Sequence, residues 1–363
     1  MLHPEALINL NNLQQNYLAI KKKVGDAKVM AVIKADAYGH GAQAIAKSLS
    51  SQGVYGFCVA LVEEVKELIA SGIKEPILHL GAISEDALDI YKTGQVRCTV
   101  SSLKELEILQ NSKIKFINVH IKVDTGMGRL GFHYQNIESV LDYCNQLDNI
   151  NLEGLYSHFA TADSSDDQYL KLQLNKFKKI VELTKKNKLG IKFFHIANSA
   201  AILKHKDTHF NMVRPGITLY GISPLGVPEL VLKPVLTLKS KVALVKEFNE
   251  NSSVGYGRMY KVKSKELIAV LQIGYADGIP TSYANVGEVE VYGQLHPVVG
   301  KVSMDLITIK CLNQKLKKGD SVILWGGNTM SLRLENIAKK INVIPYELIT
   351  GISKRVMRRY VGV

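Results

Sequence analysis

Short β-branched runs alternate with amphipathic helical stretches from about Asn11 to Tyr220. The runs read as eight strand candidates: Val29–Lys34, Tyr55–Ala60, Ile77–Leu80, Val96–Val100, Phe116–Asp124, Leu152–Phe159, Phe193–Asn198 and Asn211–Arg214. Helical spacing is found between them, in stretches such as Ala42–Ser50, Val62–Ser71, Ser101–Gln110, Ile137–Gln146 and Asp167–Lys186. Because parallel strands need crossover connections that are usually helices, eight such alternations predict a TIM-like (β/α)8 barrel.

The sequence changes character after Gly221, where a connecting stretch contains Pro224, Gly226, Pro228 and Pro234. Strand-like runs then dominate: Val235–Phe248, Ser253–Tyr260, Leu267–Gly274, Val289–Ile309 and Ser321–Trp325. One clear helix candidate interrupts them, at Glu335–Ile341. We therefore predict an α/β chain in which residues 1–225 form the barrel and residues 226–363 form a mainly-β domain. The sequence leaves open whether residues 1–10 pair with that second domain.

The formal net charge is +13, but the lysines are scattered and no basic block is interleaved with aromatic residues. We expect no nucleic-acid binding, and instead a positive field that favours phosphates and carboxylates. Cys58, Cys98, Cys144 and Cys311 lie far apart without a C-x-x-C pair, which is typical of core cysteines in a reducing compartment and predicts no metal site. Without a signal-like N-terminus or a membrane-length apolar window, the chain is expected to be soluble and cytoplasmic, with no membrane association.

Polar residues fall at the ends of the predicted barrel strands. Barrel enzymes build their sites at the carboxyl ends of the strands, so side chains at these ends are candidates for chemistry. They are Lys34, Lys122, Arg129, His158, Ser199 and Arg214. Each has a structural explanation when it is taken alone, such as a core histidine, a helix cap or a strand-end salt bridge. Independent structural roles would not place all of them on one rim.

Lys34 follows the apolar run Val29–Ile33, at the mouth of a buried strand. Partial desolvation lowers the pKa of a lysine amine and makes it a Schiff-base nucleophile, although a lysine that simply reaches solvent is the commoner case. Ser199 and the Gly216-Ile217 turn occupy the loops after strands seven and eight, where this fold usually binds phosphate. A phosphate cradle together with a lysine amine predicts that the ligand is a phosphorylated aldehyde. Pyridoxal 5′-phosphate has both the phosphate and the aldehyde.

The segment Ala31–Gly41 closely resembles the cofactor-attachment signature of alanine racemase, a fold-type III pyridoxal phosphate enzyme. Further matching segments follow in order: His120–Gly131, Ser157–Asp163, Ala197–Ala200, Met212–Gly216, Val254–Gly257, Gly274–Gly278, Val302–Asp305 and Pro345–Glu347. The resemblance spans essentially the whole chain. It implies an isomerase that interconverts L-alanine and D-alanine and supplies D-alanine for peptidoglycan.

The resemblance implies two catalytic bases on opposite faces of the substrate, Lys34 for the D-isomer and Tyr256 for the L-isomer. It also implies a homodimer in which Tyr256 reaches the cofactor of the other subunit. Arg214 would face the pyridine nitrogen and donate a hydrogen bond without protonating it, because arginine holds its protons up to a pKa above about 12. A pyridine ring that stays unprotonated withdraws electrons less strongly than a protonated one, which suits racemisation. His158 would link Arg214 to Tyr256.

The remaining implied roles concern binding. Arg129 would contact the ring oxygen and the substrate carboxylate, and a carbamate on Lys122 would orient Arg129, with a solvated strand lysine as the alternative. The phosphate would be held by Tyr38, Tyr346, Ser199 and the backbone of Gly216 and Ile217, while the cofactor is also bound by Arg214 at its ring nitrogen and by Lys34 as the covalent anchor. Tyr275 and Met304 would shape the substrate pocket, and Met304 leaves room for little more than a methyl side chain.

Three positions depart from the pattern of the family. Lys301 and Thr281 stand where many relatives carry arginine in the entrance corridor, and Asp36 stands where asparagine is commoner. Alternatives to alanine racemisation are a broad-specificity or serine racemase and a non-catalytic pyridoxal phosphate carrier. A basic-amino-acid decarboxylase is a further rival, but it should place an acidic residue against the pyridine nitrogen instead of Arg214.

Overall fold

The computed structural model describes residues 3–225, 230–312 and 315–362. Gly226 and Pro228 of the predicted connecting stretch lie outside these described residues. Within the described ranges, no helix has the length and apolar character needed to cross a membrane. In the same ranges, no group of three or more histidine, cysteine, aspartate or glutamate side chains is arranged to hold a metal ion.

The strands of the described chain are β1 (Glu5–Asn9), β2 (Lys28–Val32), β3 (Gly56–Val59), β4 (Ile77–His79), β5 (Val96–Val100), β6 (Ile117–Asp124), β7 (Phe132–His133), β8 (Ile150–Tyr156), β9 (Phe193–His195), β10 (Met212–Val213), β11 (Leu236–Phe248), β12 (Ser253–Val254), β13 (Tyr260–Lys261), β14 (Glu266–Leu271), β15 (Glu288–Val291), β16 (Gln294–Pro297), β17 (Ile307–Lys310), β18 (Ser321–Trp325) and β19 (Met357–Val361). The helices are α1 (Leu10–Val24), α2 (Lys34–Gly39), α3 (Ala42–Ser50), α4 (Val62–Ala70), α5 (Leu103–Gln110), α6 (Ile137–Asn145), α7 (Gln168–Lys186), α8 (Ser199–Lys204), α9 (Leu334–Ile341) and α10 (Pro345–Thr350). Short 3-10 helices include Glu85–Thr93, Ile217–Tyr220, Tyr256–Arg258 and Tyr275–Asp277.

Eight parallel strands of the described chain form the barrel, in the order β10-β2-β3-β4-β5-β6-β8-β9. The sheet is nearly closed, because the backbone N–H of Arg214 after β10 donates to the carbonyl of Ala197 after β9 at 3.0 Å. The strands are buried almost throughout, as expected where one face lines the barrel interior and the other meets helices. This architecture confirms the predicted (β/α)8 barrel.

Helix α1 illustrates why the sequence folds locally as it does. Its buried residues recur every three or four positions, at Leu10, Leu13, Tyr17, Ile20 and Val24. The Asn9 side chain accepts a hydrogen bond from the N–H of Asn12 at 3.0 Å and so caps the first turn. Gly25 ends the helix with a φ of 63°, which a glycine adopts without steric cost.

The second domain is built mainly of antiparallel strands, as predicted. β11 pairs with β18 along its first part and with β14 along its second part, with register shifts that bend it between the two. β1 also belongs to this sheet, because it lies antiparallel to β11 and parallel to β19. The N-terminal strand therefore completes the sheet of the C-terminal region.

Three details of the predicted second domain are wrong. A second helix, α10, follows α9, and the predicted strand Ser253–Tyr260 is divided by the 3-10 turn Tyr256–Arg258. Helix α10 has six residues and begins at Pro345, so it is too short to give a clear helical period. Glycines at 255 and 257, both with positive φ, break the strand. β19 was also missed, because its two arginines interrupt the apolar pattern.

Candidate active site

A cavity of about 710 Å³ opens at the carboxyl ends of the barrel strands, beneath helix α10. Ten of the predicted site residues line it: Lys34, Tyr38, Lys122, Arg129, His158, Ser199, Arg214, Gly216, Ile217 and Tyr346. Tyr346 comes from α10, so the second domain covers part of the barrel mouth. The volume is within the range typical of small-molecule sites.

The prediction that Lys34 ends a strand is wrong, because β2 ends at Val32. Lys34 is instead the first residue of a turn of unusual handedness. Ala35, Asp36, Ala37 and Tyr38 have φ values of 51° to 54° and form a left-handed helical turn. This conformation costs roughly 1–2 kcal/mol per residue for L-amino acids, so surrounding contacts must hold it. The turn directs both Lys34 and Tyr38 into the cavity.

Ser199 and Gly216 form the cradle predicted for a phosphate. The Ser199 hydroxyl accepts hydrogen bonds from the backbone N–H groups of Gly216 at 2.9 Å and Thr218 at 3.4 Å, which fixes this turn at the start of the 3-10 helix Ile217–Tyr220. A side chain at Gly216 would place its Cβ atom 2.6 Å from the Tyr38 hydroxyl. The cradle therefore requires glycine.

Tyr38 and Tyr346 lie beside each other at this cradle, with ring centroids 5.8 Å apart. Burial and the neighbouring Asp163 carboxylate raise the pKa of Tyr346 to about 12. Burial, followed by the proximity of Tyr346, also raises the pKa of Tyr38. Both phenols are therefore protonated at neutral pH and act as hydrogen-bond donors toward an anion.

Arg214 is held rigidly at the end of β10. Its Nη1 atom bonds to Nδ1 of His195, and its Nη2 atom donates to the Ser157 carbonyl at 2.8 Å and lies 3.4 Å from Nδ1 of His158. The guanidinium carbon lies 4.9 Å from the centre of the Tyr156 ring. Arg214 lines the cavity, and none of the hydrogen bonds to described residues comes from its Nε atom.

A chain of buried side chains continues from Arg214 through the barrel interior. Nε2 of His195 lies 2.8 Å from Nδ1 of His120, and Nε2 of His120 lies 3.3 Å from the Glu153 carboxylate. Arg97 donates to the same carboxylate at 2.8 Å. Burial lowers the pKa of His195 and of His120, so both rings are neutral.

When both histidine rings are neutral, the hydrogen bonds between these buried side chains can be arranged in only one way. A guanidinium can only donate, so His195 accepts at Nδ1 and carries its proton on Nε2. Nε2 of His195 then donates to Nδ1 of His120, and Nε2 of His120 donates to the Glu153 carboxylate. Burial opposes ionisation of Glu153, but the hydrogen bonds from His120 and Arg97 lower its pKa to about 2. Arg214, His195 and His120 therefore each donate a hydrogen bond in the direction of Glu153.

Lys122 and His158 line the cavity close to the positive charges of Arg214, Arg129 and Lys34. Lys122 lies in β6 with its amine 5.5 Å from the centre of the Tyr156 ring. Burial, followed by the charges of Arg214, Arg129 and Lys34, lowers the pKa of Lys122 to about 8. The pKa of His158 falls to about 3, again through burial first and the same cations second. His158 is therefore a neutral imidazole.

Three predicted site residues do not lie on the cavity of the single chain. Tyr256, Tyr275 and Met304 have 71%, 45% and 53% of their surface exposed. All three belong to the second domain, and Tyr275 lies beside Met304, since the backbone N–H of Tyr275 and that of the next residue donate to the carbonyls of Ser303 and Met304. Met259 and Leu306 add to the exposed apolar surface of this domain.

Sequence reasoning missed the residues that position the site. Arg97 and Glu153 stand out as opposite charges in the otherwise apolar strands β5 and β8, and both strands flank β6. Their pairing, and the inward His120 between them, could have been inferred from the strand order. Glu64 was also missed, although its carboxylate accepts a hydrogen bond from the N–H of Ala35 at 2.5 Å.

Comparison with known proteins gives one consistent result. The family model of the alanine racemase N-terminal domain matches residues 8–224, and that of the C-terminal domain matches residues 235–360. Alanine racemase 2 of Caldanaerobacter subterraneus subsp. tengcongensis is 40% identical over 363 residues, covering 98% of this chain and 94% of the relative. The structure of alanine racemase from Clostridium difficile 630 has a TM-score of 0.93 at 37% identity, covering 99% of this chain and 96% of that chain. Its complex with cycloserine has a TM-score of 0.90 at 36% identity, with coverage of 99% and 96%.

Proposed function

Because the chain belongs to the alanine racemase family, it interconverts L-alanine and D-alanine, and we propose that Lys34 and Tyr256 move the proton with pyridoxal 5′-phosphate as cofactor. One observation carries this assignment: Lys34, the Ser199-Gly216 cradle and Arg214 surround the same cavity. When bound, the cofactor links to the substrate amine and acidifies its α-proton.

The donor set of the cavity fits that cofactor at three points. The Lys34 amine suits its aldehyde, and the Gly216 turn suits its phosphate because a Cβ atom there would fill the space beside Tyr38. Tyr38 and Tyr346, both protonated, supply further donors to the phosphate, together with Ser199 and the backbone of Ile217. Arg214 Nε suits the ring nitrogen as a donor that does not give up its proton.

Racemisation removes a proton from one face of a planar carbon and returns one to the other, so two fixed bases serve better than one that crosses the plane. Lys34 serves the D-isomer and Tyr256 of the partner subunit serves the L-isomer. His158 supports this role of the phenol. Since its Nδ1 faces Arg214, which can only donate, its Nε2 carries a hydrogen that can bond to the phenolic oxygen and stabilise the phenolate.

Lys122 acts through Arg129. A pKa of about 8 leaves part of the Lys122 amine uncharged at neutral pH, and an uncharged amine is the form that reacts with carbon dioxide. A carbamate at this position reverses the charge beside Arg129 and orients its guanidinium toward the ring oxygen and the substrate carboxylate. The buried position of Lys122 among three other cations favours such a reversal of charge.

The active species is proposed to be a homodimer. Tyr256, Tyr275 and Met304 are exposed in one chain, and Tyr275 and Met304 lie side by side, as exposed apolar residues of an interaction surface do. Placed against the cavity of the partner subunit, Tyr256 becomes the second base, while Tyr275 and Met304 narrow the substrate pocket. Lys301 and Thr281 then line the entrance in place of the arginines of relatives, so they affect access and substrate breadth more than the proton transfer.

We further propose that residues 1–225 and 226–363 are the two functional domains, except that β1 joins the sheet of the second domain, and that the product D-alanine is used for peptidoglycan. A cytoplasmic location suits a chain whose four cysteines are unpaired. A broad-specificity or serine racemase remains the nearest alternative, because the same residues would serve a larger side chain. Comparing turnover of alanine, serine and lysine isomers distinguishes these activities.

The direct test is incubation of the purified protein with L-alanine, followed by chiral separation of the products. D-alanine should form in the presence of pyridoxal phosphate, and borohydride should trap the cofactor on Lys34. The Lys34→Ala variant should lose both the activity and the adduct. An adduct that persists in this variant, or appears on another lysine, would contradict the assigned anchor.

A further inference from the structure

We propose that Arg358 is a positioning residue of the active site, which holds the left-handed turn Ala35–Tyr38 from the second domain and so fixes the direction of Lys34. Arg358 lies in β19, at the far end of the chain from this turn. It does not line the cavity. The proposal rests on the assigned role of Lys34 as the cofactor anchor.

The contacts of Arg358 connect the two regions directly. Its Nε–H donates to the carbonyl of Gly39, the last residue of α2, at 3.1 Å. Its remaining N–H groups donate to the carbonyls of Ile352, Ser353 and Val356, with distances of 2.7 Å to the first and the third. One guanidinium therefore ties the turn to three carbonyls of the C-terminal segment.

The turn needs such a brace because its conformation is unfavourable on its own. Four consecutive non-glycine residues have positive φ, and left-handed helix is rare for L-residues beyond a single position. The packing around the turn is also tight. A side chain at Gly39 would collide with the carbonyl oxygen of Ile349 in α10, and one at Gly41 would collide with the hydroxyl of Tyr360 in β19.

The turn is held from two sides. On the barrel side, the Glu64 carboxylate accepts hydrogen bonds from the backbone N–H of Ala35 and of Ala60 and Leu61. On the other side, Arg358 binds the carbonyl at the end of the turn. Glu64 fixes the start of the turn from the barrel, and the N–H groups of Gly41 and Ala42 donate to the Asp36 carbonyl and carboxylate at 2.9 and 2.7 Å. Arg358 adds the side-chain contact that reaches the end of the turn from the second domain.

Arginine suits this position better than lysine. No described carboxylate lies within ion-pair distance of Arg358, and burial lowers its pKa while the nearby Asp36 opposes this effect. Its role is therefore to satisfy four carbonyls in fixed directions. A planar fork of five N–H donors does this, whereas a lysine offers three hydrogens on a single atom.

The test compares Arg358→Met with Arg359→Met. Arg359 is the adjacent residue of the same strand, but its side chain is 67% exposed and its ion pair with Glu5 has a separation of 4.0 Å. Two quantities are measured on the full-length protein after removal of cofactor: hydrogen–deuterium exchange of the backbone over residues 34–42, and the dissociation constant for pyridoxal phosphate. Arg358→Lys serves as a second, milder variant.

Arg358→Met should accelerate exchange over residues 34–42 and weaken cofactor binding by about tenfold or more, the effect expected for loss of a charge-assisted hydrogen bond. Arg358→Lys should give intermediate values, and Arg359→Met should match the unmodified protein. If Arg358→Met does not fold, Arg358→Lys must still show both changes. Unchanged exchange over the turn, or unchanged cofactor affinity, would overturn the proposal. Failure of the Lys34 assignment appears separately, as an adduct that survives in Lys34→Ala.

Discussion

Replacing Gly216 with alanine tests the phosphate cradle at its narrowest point. The new Cβ atom would lie 2.6 Å from the Tyr38 hydroxyl, about 0.8 Å short of the 3.4 Å at which ordinary contact begins. Tyr38 would therefore have to move by roughly that distance. If this displacement breaks its hydrogen bond to the phosphate, the loss is about 1.5–3 kcal/mol, or roughly 10- to 150-fold in cofactor affinity.

The assay is titration of the cofactor-free variants with pyridoxal phosphate, followed by absorbance. Tyr38→Phe removes the same hydroxyl without altering Gly216, so it should weaken binding to a similar extent. In the double variant the alanine meets no hydroxyl and should cost little more, which is the signature of two changes that act through one contact. Tyr220→Phe is the matched control, because the Tyr220 hydroxyl donates to the Val32 carbonyl and not to the cradle.

Two results would refute this reasoning. Wild-type cofactor affinity in Gly216→Ala would mean that the cradle does not bind the phosphate. An equal penalty for Gly216→Ala with and without the Tyr38 hydroxyl would mean that the alanine strains the backbone of the turn and does not act through Tyr38.

Three further outcomes are expected. Mixed dimers of Lys34→Ala and Tyr256→Phe, each inactive alone, should regain activity because one site then holds both bases; no recovery would place Tyr256 at its own chain's cavity. Lys122→Ala should lose activity that added acetate partly restores, and an unchanged rate would remove Lys122 from the site. Glu153 has a depressed pKa of about 2 against 4.5 for a free glutamate, so its contribution to stability is complete above pH 4.5 and is lost as the pH falls toward 2. Glu153→Gln should therefore cost on the order of 3 kcal/mol at pH 7, and thermal unfolding should show this difference shrinking below pH 4.5; a pH-independent difference would exclude ionisation as its source.

The barrel and its catalytic rim were predictable because both follow from short-range patterns. Each strand is marked by an apolar run, and the rule that barrel sites lie at carboxyl strand ends selects Lys34, His158, Ser199 and Arg214 from many polar residues. Their convergence on one cavity is a consequence of topology. It needs no knowledge of long-range packing.

The left-handed turn after β2 was not predictable in this way. The local sequence Ala35–Tyr38 has no residue that prefers positive φ apart from Asp36, and the glycine that follows it packs against Ile349 and Arg358, more than 300 residues away. The role of Tyr256 was likewise inferred only from family resemblance. In one chain it is an exposed tyrosine between two glycines, and nothing local distinguishes it from a surface residue.

The position of β1 has a consequence for how the protein is made. Glu5 pairs with Lys239 and with Met357, so β1 is synthesised well before β11 and much longer before β19, its two neighbours in the sheet. Closing such long loops is entropically costly and slow, and until then β1 has unsatisfied edges on both sides. Deleting β19 would thus leave one edge of β1 unpaired, although the two strands are separated by more than 300 residues.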